Sequence, residues 1–507
     1  MWGSTDSPCY VRGVYDDSGP GKVDRLVAIP CWHRLFYDSP ATIISYRRDL
    51  NLRTGTLQTD FLLEEQRGMV HVRQTVLISR WDRHQAVIRI EVRPEFHGEI
   101  RLRSVLRGPV SGAYEDLRME AQPAGLALSY TSPTHQIRIA EMLQFESAGW
   151  LHHDVCEDGV VSRDFHRIMR PGQRCAVTQL ARVAAGPDGA DPAAIVRAAA
   201  GTYPAIRERH EQAWARLWQT DITIEGDPDV QQFARAALFY LWSSVREGDE
   251  WSIAPMGLSS TFYNGHIFWD AELWMYPALL LTQPDMARAC VRYRHRTLPQ
   301  AQARARAGGF RGARFPWEAG FTGQEMTPPG HETRDFQIHV TADVAIGQWW
   351  YFLNTRDQNW LRLEGYPVIR ACAEYWESRV EYNQQLDRYE LSNVVCADEY
   401  AAHVDNNAFT NAAVSQALLI AARAAEILGE PAPDSWARIA SQMYIPYDDE
   451  ARIHLEFDGY DGRLTKQADV ELLSYPLEFV SKREQIARDL DYYAKVIDPD
   501  GPAMSFS

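Results

Sequence analysis

Along roughly the first 185 residues, apolar and polar positions alternate with a period of two. Val70 and Val72 alternate with His71 and Arg73, and Ile88, Ile90 and Val92 with Arg89, Glu91 and Arg93. Ile100 and Leu102 alternate with Arg101 and Arg103, and Ile137 and Ile139 flank Arg138. Successive side chains of a strand point to opposite faces, so the alternation predicts strands with one face in a core and one in water. Pro94, Gly98, Gly108-Pro109, Pro123-Ala124-Gly125, Ser132-Pro133 and Pro171-Gly172 separate these runs. Short strands at that spacing predict an antiparallel β-sandwich. The composition shifts near Gly186-Pro187-Asp188-Gly189, and residues 191–219 are rich in Ala, Arg and Glu with Trp214 and Trp218 four apart, which predicts a helical connector. From Asp227 onward the period is helical. About nine helices are expected, over 227–247, 269–281, 284–306, 335–355, 357–382, 405–428, 434–443, 468–474 and 483–496. In the run 405–428, Val414, Leu418, Ala421, Ala425 and Leu428 recur at helical spacing, and Gly429 stands where a C′ glycine belongs. The expected organisation is a β-sandwich domain over 1–188, a helical linker over 189–226 and a helical domain over 227–507.

The length of 507 residues suits about three ordinary domains or two large ones. Lys and Arg number 52 against 68 Asp and Glu, a formal charge of −16. An acidic chain with no basic stripe argues against nucleic acid and against an anionic membrane surface. No apolar run approaches the roughly 20 residues of a spanning helix. The seven cysteines (9, 31, 156, 175, 290, 372 and 396) show no CxxC or CxxH spacing. They read as reduced thiols of a cytoplasmic protein. No signal peptide precedes the fold. Met1-Trp2-Gly3 leads so quickly into Tyr10–Tyr15 that the start reads as mid-domain, which leaves secretion open.

Familiar sites are absent: no Walker A loop, no GxGxxG after a strand, no HExxH and no GxSxG elbow. Gly308-Gly309-Phe310-Arg311-Gly312 reads as a turn before it reads as a phosphate cradle. His152-His153 with Asp154 and Cys156 fits no tetrahedral metal spacing, and a solvated loop of the β domain is the better reading. Three segments remain: Asn264–Trp274, Arg314–Glu318, and Cys396–Tyr400 with Val404–Asn411. Each sets carboxylates or amides beside aromatics at a loop-to-helix junction. Each alone reads as a helix cap with core aromatics. Sugars are held by carboxylate and amide hydrogen bonds and by flat apolar platforms, so three such segments in one domain point to a sugar site. The 16 Trp and 23 Tyr suit stacking on sugar rings, although on composition alone aromatics more often fill cores.

These segments resemble glycoside hydrolase family 65, which holds disaccharide phosphorylases for maltose, trehalose, kojibiose and nigerose together with acid trehalases and other α-glucosidases. The resemblance rests on Phe268-Trp269-Asp270-Ala271-Glu272-Leu273, Tyr293–Pro299, Phe315-Pro316-Trp317-Glu318, Asp398-Glu399-Tyr400, Val404–Asn411 and Lys466-Gln467-Ala468-Asp469, and extends more weakly through the β domain. It implies an N-terminal antiparallel β-sandwich, a helical linker and an (α/α)6-barrel catalytic domain, incomplete here because the expected helices fall short of six pairs. It implies Glu399 as the general acid, in a motif Asp-Glu-Tyr-His whose His position is Ala401 and whose preceding residue, usually Pro, is Ala397. It places Asp270, Trp317, Glu318, Lys466 and Gln467 in the subsite of the departing glucosyl unit.

The resulting expectation is an inverting α-glucosidase that releases glucose from small α-glucosides (disaccharides), with no metal and no organic cofactor. Glu399 protonates the leaving oxygen while a base activates water on the opposite face. One alternative is a disaccharide phosphorylase that uses inorganic phosphate in place of water and gives β-glucose 1-phosphate. A catalytically silent sugar-binding protein is the other. The ending Gly501–Ser507 lacks the serine-rich run of the phosphorylases and, with Phe457-Asp458-Gly459-Tyr460, resembles the hydrolase branch, including the enzyme that removes glucose from glucosyl-galactosyl-hydroxylysine. It also reads as the end of a fragment whose general base lies beyond Ser507. A homodimer is left open.

Overall fold

The computed structural model of the chain describes residues 9–17, 23–109, 114–157, 159–186, 191–467 and 469–501. Met1–Gly3, the composition break at 187–189, Ala468 and the ending 502–507 lie outside the described residues.

The period-two runs form strands. Two short ones, Tyr15–Asp17 (β1) and Asp24–Leu26 (β2), precede Leu35–Tyr37 (β3), Thr42–Asn51 (β4), Thr56–Glu65 (β5), Gly68–Ile78 (β6), Gln85–Pro94 (β7) and Gly98–Arg107 (β8). They are followed by Glu115–Gln122 (β9), Gly125–Thr131 (β10), Arg138–Glu146 (β11), Leu151–Glu157 (β12), Val160–Met169 (β13) and Cys175–Gly186 (β14). One sheet has eight strands in the order β4-β5-β6-β7-β14-β11-β10-β9, and a second has four in the order β12-β13-β8-β3. Between them lies a core of Leu35, Val70, Val72, Ile88, Ile90, Val92, Ile100, Leu102, Phe165 and Val177. The inward positions are therefore the apolar ones of the alternation, while Arg138 between buried Ile137 and Ile139 is exposed. Helices Pro192–Arg197 (α1) and Tyr203–Leu217 (α2) cover apolar positions on the other face of the large sheet. Val196 packs on Ala140, Met142 and Ala184, and Ile206 on Leu77, Val87 and Leu180.

The remaining helices are Pro228–Ser243 (α3), Tyr276–Thr282 (α4), Pro284–Arg296 (α5), Leu298–Ala307 (α6), Glu332–Phe336 (α7), Val340–Thr355 (α8), Gln358–Trp360 (α9), Tyr366–Arg379 (α10), Ala408–Leu428 (α11), Asp434–Gln442 (α12) and Arg483–Tyr493 (α13). The expected helix over 284–306 is two, because Pro299 has no N–H to continue α5 and its ring opposes the preceding turn. The stretch expected as a helix over 468–474 is a single 3-10 turn, Val470–Leu473. Helices α4 and α10 are each entered through a π turn, Ala271–Met275 and Leu361–Gly365. By contacts the chain forms two units, Met1–Pro20 with Leu26–Tyr240, and Gly21–Arg25 with Leu241–Ser507. Within the second, α8, α10 and α11 pack on one another and α5 packs on α8. Helices α8 and α11 are buried on nearly all sides over their first halves, as an interior helix must be. The fold is thus an antiparallel β-sandwich and a helical domain.

Gly312 shows why the glycine-rich loop after α6 is structural. Its φ is 64°, and a Cβ there would stand 2.1 Å from the Ala371 carbonyl of α10. Gly308 caps α6, and Arg311 pairs with Glu377 at 2.9 Å. The His152–Cys156 run is not a loop but lies along the exposed strand β12, where Asp154 is held by Arg163 at 2.7 Å and Cys156 is exposed.

Candidate active site

All three candidate segments fall in the helical unit; Asn264–Trp274 runs into the π turn before α4 and Val404–Asn411 into α11, whereas Arg314–Glu318 and Cys396–Tyr400 lie in loops and not at a helix start. The Asn264–Trp274 and Arg314–Glu318 segments are stitched together by backbone: Ile267 and Ala319 exchange N–H to carbonyl bonds at 2.9 and 3.0 Å. Glu272 and Arg294, both buried, make a two-pronged ion pair at 2.7 and 2.8 Å, and Arg294 Nη2 also donates to the Phe268 carbonyl. This fixes the Phe268–Leu273 turn from α5. A buried pair of this kind needs further hydrogen bonds to offset desolvation, and the Phe268 carbonyl supplies one.

Trp317 and Glu318 are positioned by a residue that spacing alone did not reveal. Glu325 accepts the backbone N–H groups of Trp317 (2.9 Å), Glu318 (3.2 Å) and Thr327 (3.1 Å), and pairs with Arg304 at 2.8 Å. The Trp317 ring meets Phe268 and His339 edge-on at 5.9 and 6.0 Å. Glu318 Oε2 stands 2.8 Å from Nδ1 of the buried His266. The other imidazole nitrogen contacts the Asp24 carbonyl, which can only accept, so Nε2 carries the proton.

Glu399 sits in a tight turn between the bridged residues Val394 and Val404, closed by Cys396 N–H to Ala401 carbonyl and Ala401 N–H to Asp398 carbonyl bonds, each 3.0 Å. Its side chain, 29% exposed, is ion-paired with the Lys466 ammonium. The Lys466 N–H donates to Asp398 Oδ1 at 3.0 Å, and the Gln467 amide donates to the Ala397 carbonyl. Glu399, Lys466 and Gln467 are therefore one local assembly. Asp270 belongs to its electrostatic surroundings. Burial pushes the Asp270 carboxyl up to about 6, and the carboxylates of Glu272 and Glu399 add to the rise. Trp317 and Glu318 make no hydrogen bond to the Glu399–Lys466 pair among the described residues; they reach it through the 266–270 segment.

Beneath the turn lies a set of carboxyls. Asp469 accepts from the N–H groups of Ala397 (3.0 Å) and Asp398 (3.4 Å) and from the Asn407 amide (2.8 Å). The departure from Pro at 397 has a consequence here, because a proline has no N–H to give Asp469. Glu456 is fully buried, and neither of its carboxyl oxygens has a hydrogen-bond partner among the described residues. Burial and the charges of Asp469 and Asp398 push Glu456 well up, so it holds its proton. Asp469 is raised to about 7 by burial, helped by Asp398. Cys396, Glu456 and Asp469 have ligand atoms within 4.8 Å of one another. Asp469 is met by three donors, and Glu456 is kept protonated by burial. Glu456 lies between Leu455 and Phe457, and that apolar setting was its signal in the sequence.

Two family models match the chain: the N-terminal domain of glycosyl hydrolase family 65 over residues 5–217, and the central catalytic domain of the same family over residues 235–464. This chain belongs to glycoside hydrolase family 65. Among family 65 proteins it is 45% identical to the kojibiose hydrolase of Flavobacterium johnsoniae over 301 residues, 59% of this chain and 44% of that protein. It is 37% identical to the protein-glucosylgalactosylhydroxylysine glucosidase of Mus musculus over 311 residues, 59% of this chain and 45% of that one. Against these hydrolases the chain spans about half of the relative's length. A kojibiose phosphorylase of Thermoanaerobacter brockii matches 96% of this chain and 75% of its own length at 27% identity. In fold, the chain superposes with a TM-score of 0.86 on a structure assigned provisionally as a kojibiose phosphorylase from the human microbiome, at 17% identity over 98% of this chain and 75% of that one. Among the described residues no helix is long and apolar enough to cross a membrane.

Proposed function

We propose that this chain carries the general acid and the glucosyl subsite of an inverting glycosidase that releases glucose from small α-glucosides. The observation that carries the reading is Glu399: a partly open carboxylate on a rigid turn, beside Asp270 and held by Lys466. Glu399 delivers a proton to the leaving oxygen. Asp270 and Glu318 accept hydroxyl protons, Trp317 offers an apolar ring, and Lys466 and Gln467 donate. Substrate must displace Lys466 from Glu399 before the carboxyl can reach the glycosidic oxygen, so an incoming hydroxyl takes over the ammonium. Inversion then needs a second carboxylate roughly 6.5–9.5 Å away, with a water between. That base is not among the residues assigned here. The division at 188 and 226 into sandwich, linker and catalytic domain, and a cytoplasmic location, belong to the same reading.

The names of the two hydrolase relatives support hydrolysis, and the phosphorylase that matches nearly the whole chain supports phosphorolysis as the second reading. The product separates them. Proton NMR in the first minutes of reaction by the whole protein, before mutarotation, is expected to show β-glucose at a rate independent of phosphate. Initial α-glucose would mean a retaining mechanism. Phosphate-dependent β-glucose 1-phosphate would assign the protein to the phosphorylases, and binding without turnover would make it a sugar-binding protein.

A further inference from the structure

The sandwich unit holds a group of side chains for which glucoside chemistry has no use. Cys9 and Cys31 are far apart in sequence, and a bridge between Cys9 and Ile29, with Ile29 N–H donating to the Cys9 carbonyl at 2.8 Å, lays their two stretches side by side. The two Sγ atoms are then 3.8 Å apart, and His33 Nδ1 stands 3.2 Å from Cys9 Sγ and 3.4 Å from Cys31 Sγ. These spacings can be compared with a known coordination shell. Zinc–sulfur bonds of about 2.3 Å and zinc–nitrogen bonds of about 2.0 Å at tetrahedral angles put two sulfurs about 3.8 Å apart and a sulfur and a nitrogen about 3.5 Å apart. The three atoms thus already outline one face of a zinc tetrahedron.

The face is held in place from outside. The Trp32 carbonyl accepts from the buried Gln179 amide, and Gln179 accepts from Ser104 at 2.6 Å. The Arg34 carbonyl accepts from Val105 N–H at 2.9 Å, and the Trp32 ring meets His33 edge-on at 5.5 Å. The stretch 31–34 is therefore pinned to β8 and β14. A second observation points to a cation. Glu141 of β11 is fully buried, neither carboxyl oxygen has a hydrogen-bond partner among the described residues, and its charge neighbours include the thiols of Cys9 and Cys31. A buried carboxylate without a partner is costly, and a bound cation offsets that cost.

We propose that Cys9, Cys31 and His33 bind a zinc ion, with Glu141 as its buried counter-charge. Thiolate and imidazole donors select zinc over magnesium or calcium. Binding converts two thiols to thiolates, and both protons leave to solvent; no electron is transferred. The ion ties the N-terminal stretch to the sandwich.

The test uses Co²⁺ as a probe on the reduced full chain, stripped with chelator under nitrogen. One equivalent is expected to bind with a thiolate-to-cobalt charge-transfer band, and one equivalent of Zn²⁺ should abolish the band. Cys156→Ser, at an exposed cysteine, should keep it, whereas Cys9→Ser and Cys31→Ser should lose it and His33→Ala should bind at least tenfold more weakly. Because the cysteine variants can misfold, the unsubstituted chain is also alkylated with and without Zn²⁺. Selective protection of Cys9 and Cys31, read by peptide mass spectrometry, supports the site. Substoichiometric Co²⁺ binding, a band that survives both cysteine substitutions, equal alkylation with and without Zn²⁺, or a Cys9–Cys31 disulfide in metal-free protein freshly isolated under reducing conditions would each overturn it.

Discussion

Glu399 and Asp270, both proposed for the glucosyl site, have different surroundings. Glu399 is ion-paired and open; Asp270 is more enclosed, with a carboxyl raised to about 6. If Glu399 is the acid, Glu399→Gln keeps shape and hydrogen bonds but delivers no proton. General acid catalysis contributes typically 10²–10⁴-fold, so kcat on an unactivated disaccharide is expected to fall by at least about 10²-fold while KM changes little. On the proposed reading Asp270→Asn instead removes a hydroxyl acceptor for the glucosyl ring, and KM should carry more of its effect. Steady-state kinetics of the two variants in the whole protein reads the split; near-normal turnover by Glu399→Gln removes that residue from the role.

Helix α11 shows how an element, and not a single side chain, supports the turn that carries Glu399. Asn407 caps it, with Oδ1 accepting from Thr410 N–H at 2.8 Å, while Nδ2 donates to Asp469 Oδ1 at 2.8 Å and to the Glu456 carbonyl at 3.0 Å. As plain N-caps, Asn, Asp and Ser are nearly equivalent. Here they are not. Asn407→Ser keeps the cap and is expected to lose roughly 1 kcal/mol for the lost hydrogen bonds. Asn407→Asp keeps the cap but sets a carboxylate against Asp469, and its urea midpoint should lie clearly below that of Asn407→Ser; the reverse order would show that Asn407 acts as a cap alone. The limits of α11 were legible within a few residues from its apolar spacing and Gly429, whose φ is 68°. The strands were legible because one face meets the core and the other water. Long-range partnerships were not. Nothing in local spacing says that Glu325 gathers three N–H groups, that Cys9 meets Cys31 and His33, or that Glu456 lies beside Cys396 and Asp469, because each partnership is closed by the fold. The break at Thr297 and the short 470–473 turn were missed for the converse reason: an apolar period runs through them while proline and tertiary contacts decide the backbone.

At the scale of the molecule, the raised carboxyls cluster in the helical unit, save Glu141 in the sandwich, and this makes the two units respond differently to pH. Asp270 (about 6), Asp469 (about 7) and Glu456 (raised well above the usual range) are held up mainly by burial. An unfolded carboxyl releases its proton near pH 4. Between about pH 4 and 7 the folded helical unit therefore retains protons that the unfolded chain has lost. With the unfolded state binding fewer protons, the free energy of unfolding falls as pH rises. Pairs in the sandwich such as the partly exposed Asp154 with the buried Arg163, which lowers the aspartate, act in the opposite sense but only below about pH 4, so the two windows are separate. Urea unfolding at pH 4.5 to 8, followed by an exchange pulse at one common pH and peptide mapping, should show the midpoint for α8 and α11 falling as pH rises, while β6 and β7 shift less. Glu456→Gln keeps the shape of the side chain but cannot titrate, and it should flatten the slope in the helical unit. An unchanged slope in that variant would place the retained protons elsewhere.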